Sequence, residues 1–287
     1  MKDLCIYLIT HNRGELIKET IQSLIDQDCS DFKVIISDNS SNDETRRIIE
    51  RMNLPINFEY LKRSGLLSAN EHINTIISEV STKFFVIFHD DDIMLPHFVS
   101  TLYKFIEKSS YIAVGGNAYK MFGAEKSKKT FISTAANVEV DNIGSLVNSY
   151  KTGQISPFPC YIYNRELIEK EKYGNEAGKY SDVVWLMKLL WRGLFLWISE
   201  PIMYYRIHIG QDSATIDDQA MEKLIKCFED YSKTNRDLEM VKKYSINYKY
   251  SMGIKTGMFD LEYLKNNSKF NYYPKAIIRL CLKKVIR

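Results

Sequence analysis

"FFVIFHDDDIMLP", residues 84–96, runs five apolar residues into a histidine and three consecutive aspartates. An apolar run of this length, closed by a turn, reads as a strand buried on both faces. Asp90, Asp91 and Asp92 then stand where that strand leaves the sheet. Adjacent carboxylates repel one another, so the stretch is either a solvated acidic turn or a place where positive charge gathers. The ends of the other strands decide between the two.

"LCIYLIT" (4–10) and residues 33–37 are further apolar runs, and "INFEYL" (56–61) alternates as a third strand. Between the first two, Leu16, Ile17, Ile21, Leu24 and Ile25 recur at helical spacing. A second helix is expected from about residue 43, with Asp43 as its N-cap. "SANEHINTIISEV" (68–80) and "LPHFVSTLYKFIEK" (95–108), with Pro96 near its start, add two more helices. Strand, helix, strand, helix with short connections predicts an α/β fold with a mostly parallel central sheet flanked by helices. Ligands of such sheets bind outside the carboxyl ends of the strands. Thr10-His11-Asn12-Arg13, Asp38-Asn39-Ser40 and the aspartate triplet all fall on that edge. A solvated turn needs no such companions.

The 287 residues suffice for one large domain or two small ones, and 45% hydrophobic with 26% charged residues is ordinary globular composition. A net charge of +3 is too small to indicate nucleic acid. Five widely spaced cysteines without a CxxC pair argue against a disulfide framework or a zinc site and fit a reducing compartment. With neither a signal peptide nor an 18-residue apolar window in the sequence, the expected address is cytoplasmic. Periodicity weakens between about 119 and 155, where "GAEKSKK" and "ISPFPC" predict long loops. An apolar helix (181–193) and the segment "LFLWISEPIMYYRIH" follow, and charged, tyrosine-rich helical sequence occupies 214–287.

The ordered set "ITHNR…LIDQ", "SDNSSNDET", "GLLSANEHIN" and "FHDDDIMLP" resembles the N-terminal half of family-2 glycosyltransferases, over roughly residues 3–120. "YSDVVWLMKLLWRG" and "YYRIHIGQDS" resemble later segments of the family, to about residue 213. The resemblance implies a GT-A fold over 1–213, with a nucleotide-binding half (1–110) and an acceptor half (111–213), ahead of the helical appendage expected at 214–287. It also implies an inverting transfer of sugar from a nucleotide-diphosphate donor to a hydroxyl of a polysaccharide or lipid-linked glycan.

By that resemblance Asp91 matches the metal-binding aspartate, Asp90 lies near the ribose and Asp92 lies toward the acceptor. His89 stands where many relatives have another aspartate. Hard Mn²⁺ or Mg²⁺ prefers carboxylate ligands and neutralises a departing diphosphate. Thr10 and Asp38 match positions lining the nucleobase pocket; a carboxylate at Asp38 is able to accept the N3–H of uracil, or to cap its own turn. Asn12 replaces an aromatic found in some relatives. Arg13 faces phosphate or solvent, and Asn70 faces the nucleotide or caps a helix. Asp182 is the candidate general base at a helix start, although Ser181 replaces the family's neighbouring glutamate. His208, in Tyr-Arg-x-His, binds the metal or diphosphate or is structural.

Two rival readings are a nucleotidyltransferase and a non-catalytic sugar-nucleotide-binding protein. The first usually carries a glycine-rich phosphate loop, whereas "ITHNRGELIKET" holds one glycine. The second would be signalled by loss of the aspartates, and Asp38, Asp91 and Asp182 remain. The segment "KAIIRLCLKKVIR" (275–287) has five basic residues in thirteen, a composition that suits either an anionic membrane surface or a helix packed on the domain.

Overall fold

The computed structural model describes residues 3–133, 135–168, 171–208 and 217–256. The first half alternates as expected: β1 (Leu4–Thr10), α1 (Leu16–Ile25), β2 (Lys33–Asp38), α2 (Glu44–Glu50), β3 (Phe58–Lys62), α3 (Ala69–Glu79) and β4 (Phe84–His89). The second half reads β5 (Ile93–Met94), α4 (Phe98–Ile106), β6 (Ala113–Phe122), β7 (Glu125–Thr130), β8 (Val138–Val140), α5 (Ile143–Thr152), β9 (Tyr161–Asn164) and α6 (Arg165–Ile168). It ends with α7 (Ser181–Leu189), β10 (Phe195–Ile207), α8 (Asp218–Tyr231) and α9 (Asn235–Thr256).

The strands form one sheet in the order β3-β2-β1-β4-β9-β6-β10-β5, with β7 on β6 and β8 on β10. β1, β2, β3 and β4 pair in parallel. β9 enters antiparallel between β4 and β6, and β6 pairs in parallel with β10. Even-numbered residues of β1 and β4, such as Ile6 and Val86, pack with Ile17, Leu24, Phe98 and Leu102 on one face. Odd-numbered residues, such as Tyr7 and Phe85, pack on the other with Ile76, Leu146, Trp185 and Phe228. A strand buried on both faces has no polar side to alternate with, which is why these runs are uniformly apolar.

Two expectations are corrected. Residues 119–155 hold the end of β6, then β7, β8 and α5, in place of long loops. Gly115 and Gly116 lie inside β6, where a Cβ would come within 2.6 Å of the Tyr161 ring and 2.1 Å of Ile202 Cδ1. Close packing across the sheet therefore requires glycine there and erases the apolar signal of the strand. At α2, Asp43 occupies the N-cap position without a side-chain cap bond, and Asn42 Oδ1 accepts the Glu44 N–H at 3.0 Å.

Helices α8 and α9 are packed into the domain. Leu224 and Phe228 of α8 and Val241 and Tyr244 of α9 belong to the same core as α5 and α7. Buried Asp237 of α9 accepts the Gly144 N–H of α5 at 2.9 Å. Segment 275–287 lies outside the described residues.

Candidate functional site

The ends of β1, β2 and β4 are in register: Thr10 pairs with Asp38 and Ile9 with His89. β5 follows the aspartate triplet and pairs antiparallel with Met203 and Tyr204 of β10. That pairing delivers Tyr205, Arg206 and His208 to the same edge. Asp90, Asp91 and Asp92 are only 5%, 6% and 1% exposed, so the solvated-turn reading fails.

A buried acidic turn needs its backbone and its charge compensated. Helix α1 and the residues just after it supply the first. The Thr20 hydroxyl is shared between the carbonyls of Asp90 (2.9 Å) and Asp92 (2.8 Å), and Ser23 Oγ accepts the Met94 N–H at 3.1 Å. Gln27 donates to the Leu95 carbonyl at 2.9 Å and accepts the Val99 N–H at 3.1 Å. From β10, buried Arg206 donates its Nε–H to the Asp91 carbonyl at 2.7 Å and its backbone N–H to Asp92 Oδ1 at 2.9 Å. Its guanidinium also reaches Glu19 Oε2 and the Gly123 carbonyl, each at 2.6 Å.

Positive charge comes from two arginine side chains, Arg13 and Arg206. Arg13 Nε lies 3.5 Å from Asp90 Oδ1 and its Nη2 3.6 Å from Asp91 Oδ2. His208 Nε2 lies 3.0 Å from Asp91 Oδ2, and Arg206 stands behind the turn. This remains incomplete. Burial pushes the Asp90 carboxyl up to about 6, and burial together with neighbouring Asp91 pushes Asp92 well above the usual carboxylate range. Asp92 Oδ2 is buried with no hydrogen-bond partner among the described residues.

His89, Asp91 and Asp92 each offer a ligand atom within 4.8 Å of the others. One divalent cation spans such a set through bonds of about 2.0–2.6 Å to oxygen, with a neutral imidazole as the third ligand. Burial lowers the pKa of His89, which favours that neutral form. The unpartnered Asp92 oxygen fits a cation. The geometric set thus includes His89 and Asp92, while His208 stands one hydrogen bond from the cluster through Asp91.

A cleft of about 980 Å³ opens over this edge and is lined by Thr10, Asn12, Arg13, Asp90, Asp91 and Asp182. Asn12 adopts φ 55°, a left-handed conformation that asparagine tolerates better than most residues. Its N–H donates to Ser40 Oγ at 2.8 Å and its Oδ1 accepts the Ser41 N–H at 3.0 Å, joining the β1 and β2 loops.

Asp38 lies beneath the cleft surface. It accepts the Ser40 N–H at 2.8 Å, the Tyr60 hydroxyl at 2.7 Å and the Lys62 ammonium at 3.3 Å. Burial opposes its charge, but the bonds from Ser40 and Tyr60 and the charge of Lys62 hold its pKa below the usual value. Its neighbour Asn39 lines the cleft. Asn70 is half-buried and outside the lining; the α3 cap there belongs to Ser68 and Glu71, which form a reciprocal capping box.

Asp182, in the first turn of α7, lines the same cleft. Its Oδ1 accepts the Val183 N–H at 2.8 Å, and burial lifts its carboxyl to about 6. That value suits a group that must hold and release a proton near neutrality. Sequence reasoning missed Thr20, Arg206 and the ligand geometry of His89. The signal for Thr20 is present: Thr20, Ser23 and Gln27 are polar at helical spacing beside the apolar stripe of Ile17, Ile21 and Leu24.

Residues 5–172 match the family model "Glycosyl transferase family 2". The chain belongs to this family. A GalNAc(5)-diNAcBac-PP-undecaprenol beta-1,3-glucosyltransferase of Campylobacter jejuni is 25% identical to this family-2 chain over 75% of it and 68% of the relative. The poly(ribitol-phosphate) beta-N-acetylglucosaminyltransferase TarP of Staphylococcus aureus is 29% identical over 62% of this chain and 55% of TarP. Among solved structures, S. aureus TarS 1–349 in complex with UDP-GlcNAc superposes with a TM-score of 0.67 at 16% identity, covering 96% of this chain and 83% of TarS 1–349. A Pyrobaculum calidifontis mannosyltransferase with GDP-Man and Mn²⁺ superposes with a TM-score of 0.58 at 13% identity, covering 98% of this chain and 88% of its own. The protein is a glycosyltransferase with a GT-A-type fold.

Proposed function

We propose that this glycosyltransferase moves one sugar, with inversion, from a nucleoside-diphosphate donor to an acceptor hydroxyl of a glycan or lipid-linked glycan, and that the donor is a UDP-sugar. The observation that carries it is that Asp182 lines the same cleft as His89 and Asp91 of the His89–Asp91–Asp92 cluster. Mn²⁺ or Mg²⁺ held by that cluster would neutralise charge on the diphosphate. Arg13 adds a cation on the same side. Thr10, Asn12, Asn39 and, from below, Asp38 form the nucleoside end, and Asp90 stands between nucleoside and diphosphate.

Asp182 accepts the proton of the acceptor hydroxyl as its oxygen bonds to the anomeric carbon. The bond from that carbon to the diphosphate oxygen breaks, and its electron pair leaves on the diphosphate. The TarS and mannosyltransferase complexes, with UDP-GlcNAc and with GDP-Man and Mn²⁺, support a nucleotide-sugar donor and a divalent cation. The C. jejuni relative, whose substrate name carries PP-undecaprenol, supports a lipid-linked acceptor. The basic segment 275–287 would then bring the enzyme to an anionic membrane surface.

A thermal-shift panel of UDP, GDP and CDP with and without Mn²⁺ tests the donor. Binding raises stability with the logarithm of saturation, so the preferred base gives the largest shift and needs the metal. No shift with any nucleotide would remove this reading.

A further inference from the structure

Beyond the acidic turn, the cleft changes character. Tyr150 from α5, Phe158 from the turn before β9, and Tyr173 and Tyr180 from the approach to α7 line it together with Asp182. The row starts at the metal cluster, where the Phe158 ring lies 5.7 Å from that of His89. It continues from Phe158 to Tyr173, 5.7 Å apart between centroids, and a second pair, Tyr150 and Tyr180, lies 6.4 Å apart and nearly perpendicular. Phe228 of α8 and Tyr244 of α9 back Tyr150 at 6.1 Å and 5.8 Å, so the C-terminal helices brace this wall.

We infer that this aromatic end is the acceptor subsite and that it takes the terminal pyranose ring of a saccharide, stacked face-on, rather than an acyclic alditol phosphate. The inference rests on the transferase reading above and adds the chemical class of the acceptor. Ring carbons of a pyranose present a patch of C–H bonds, weakly positive, that matches the negative face of an aromatic ring. An alditol phosphate offers no such face and needs cations. Of the two cations lining the cleft among the described residues, Arg13 already faces Asp90 and Asp91, and the Lys179 ammonium lies 5.5 Å from the centre of the Tyr180 ring. Volume agrees: about 980 Å³ is the upper end of the range for one drug-sized ligand, which leaves space for a nucleotide-sugar and a further ring. A stacked ring there brings its hydroxyls beside Asp182.

The test uses the full chain with Mn²⁺ and either UDP-glucose or UDP-N-acetylglucosamine, following UDP release. p-Nitrophenyl glucosides, galactosides and N-acetylglucosaminides are compared with ribitol 5-phosphate as acceptors. At least one pyranoside is expected to accelerate release tenfold or more, with ribitol 5-phosphate inert. Phe158→Ala and Tyr180→Ala should raise KM for that pyranoside at least tenfold with kcat within threefold, and Phe158→Tyr should restore it. UDP affinity, measured by calorimetry, separates the two levels of failure. Loss of Mn²⁺-dependent UDP binding in the unmodified chain would sink the transferase reading itself. UDP binding without pyranoside stimulation, or a preference for ribitol 5-phosphate, would overturn the acceptor inference alone. Alanine variants that lose UDP affinity or kcat, with KM unchanged, would make the rings structural and overturn it as well.

Discussion

The backbone N–H of Arg206 donates to Asp92 Oδ1 at 2.9 Å across 114 residues of sequence. With the Nε–H on the Asp91 carbonyl, it makes Arg206 the clamp that sets the acidic turn from the far strand. Replacing Arg206 by lysine keeps a charge but loses the fork that serves Asp91, Gly123 and Glu19 together. Each buried carbonyl left without a donor costs about 1–3 kcal/mol. Urea unfolding of Arg206→Lys should reveal a loss of that order, and calorimetry should show weaker Mn²⁺-dependent UDP binding. Wild-type stability in this variant would mean the turn holds itself.

Asp91→Asn tests the turn directly. The variant should keep its fold and lose at least tenfold in Mn²⁺-dependent UDP affinity, and EDTA should bring the wild type to the same level. Without metal, its thermal midpoint should equal or exceed that of the wild type, because one of three buried, mutually repelling carboxylates has been neutralised. Unchanged metal dependence in calorimetry would move the cation elsewhere.

Much of the nucleotide-binding edge was legible because β1, β2 and β4 are buried on both faces and must be apolar, so their polar ends stand out against them. Glycines at 115 and 116 and a buried asparagine hid β6. Asn117 satisfies itself inside the sheet, donating to the Ile132 and Ser199 carbonyls at 2.8 Å and 3.0 Å and accepting the Ile132 N–H at 2.9 Å. No hydrophobic pattern records such a bond. β7, "EKSKKT", lies at the margin of the sheet, where lysines discourage pairing with another chain. Of the site, the aspartates were legible from their positions, whereas the commitment of Asp38 to Tyr60 and Lys62 depends on a neighbouring strand that the motif does not contain.

Segment 275–287 carries Lys275, Arg279, Lys283, Lys284 and Arg287 among aliphatic residues. Near an anionic surface each basic residue contributes on the order of 1 kcal/mol, falling away with salt. Among the described residues no helix is long and apolar enough to cross a membrane. Deleting 275–287 should abolish sedimentation with phosphatidylglycerol vesicles at low salt and leave UDP affinity in solution within twofold. Protein that retains 275–287 and ignores such vesicles at low salt would refute the idea, and a truncated protein that unfolds would assign the segment to the core.

Asp182 joins chemistry to stability through one pKa. Burial holds its folded value at about 6, against roughly 3.9 for an exposed aspartate. Below about pH 4 the carboxyl is protonated in both the folded and the unfolded chain, so it contributes no difference. Between about pH 4 and 6 the unfolded chain gives up the proton while the folded chain keeps it, and stability falls. Above pH 6 the loss is complete, on the order of 2–3 kcal/mol at about 1.4 kcal/mol per pKa unit. Asp182→Asn keeps an oxygen for the Val183 N–H and removes the charge from this half-buried position. It should therefore match the wild type in urea at pH 4 and exceed it at pH 8. Its turnover should fall by roughly 10²–10⁴, the usual loss of a general base, with UDP affinity little changed. In the wild type, kcat/KM should rise through a pKa near 6 as the base ionises. A variant that gains stability at pH 8 and keeps its turnover would mean that Asp182 is charged for some other reason, and the base would have to be sought elsewhere in the cleft.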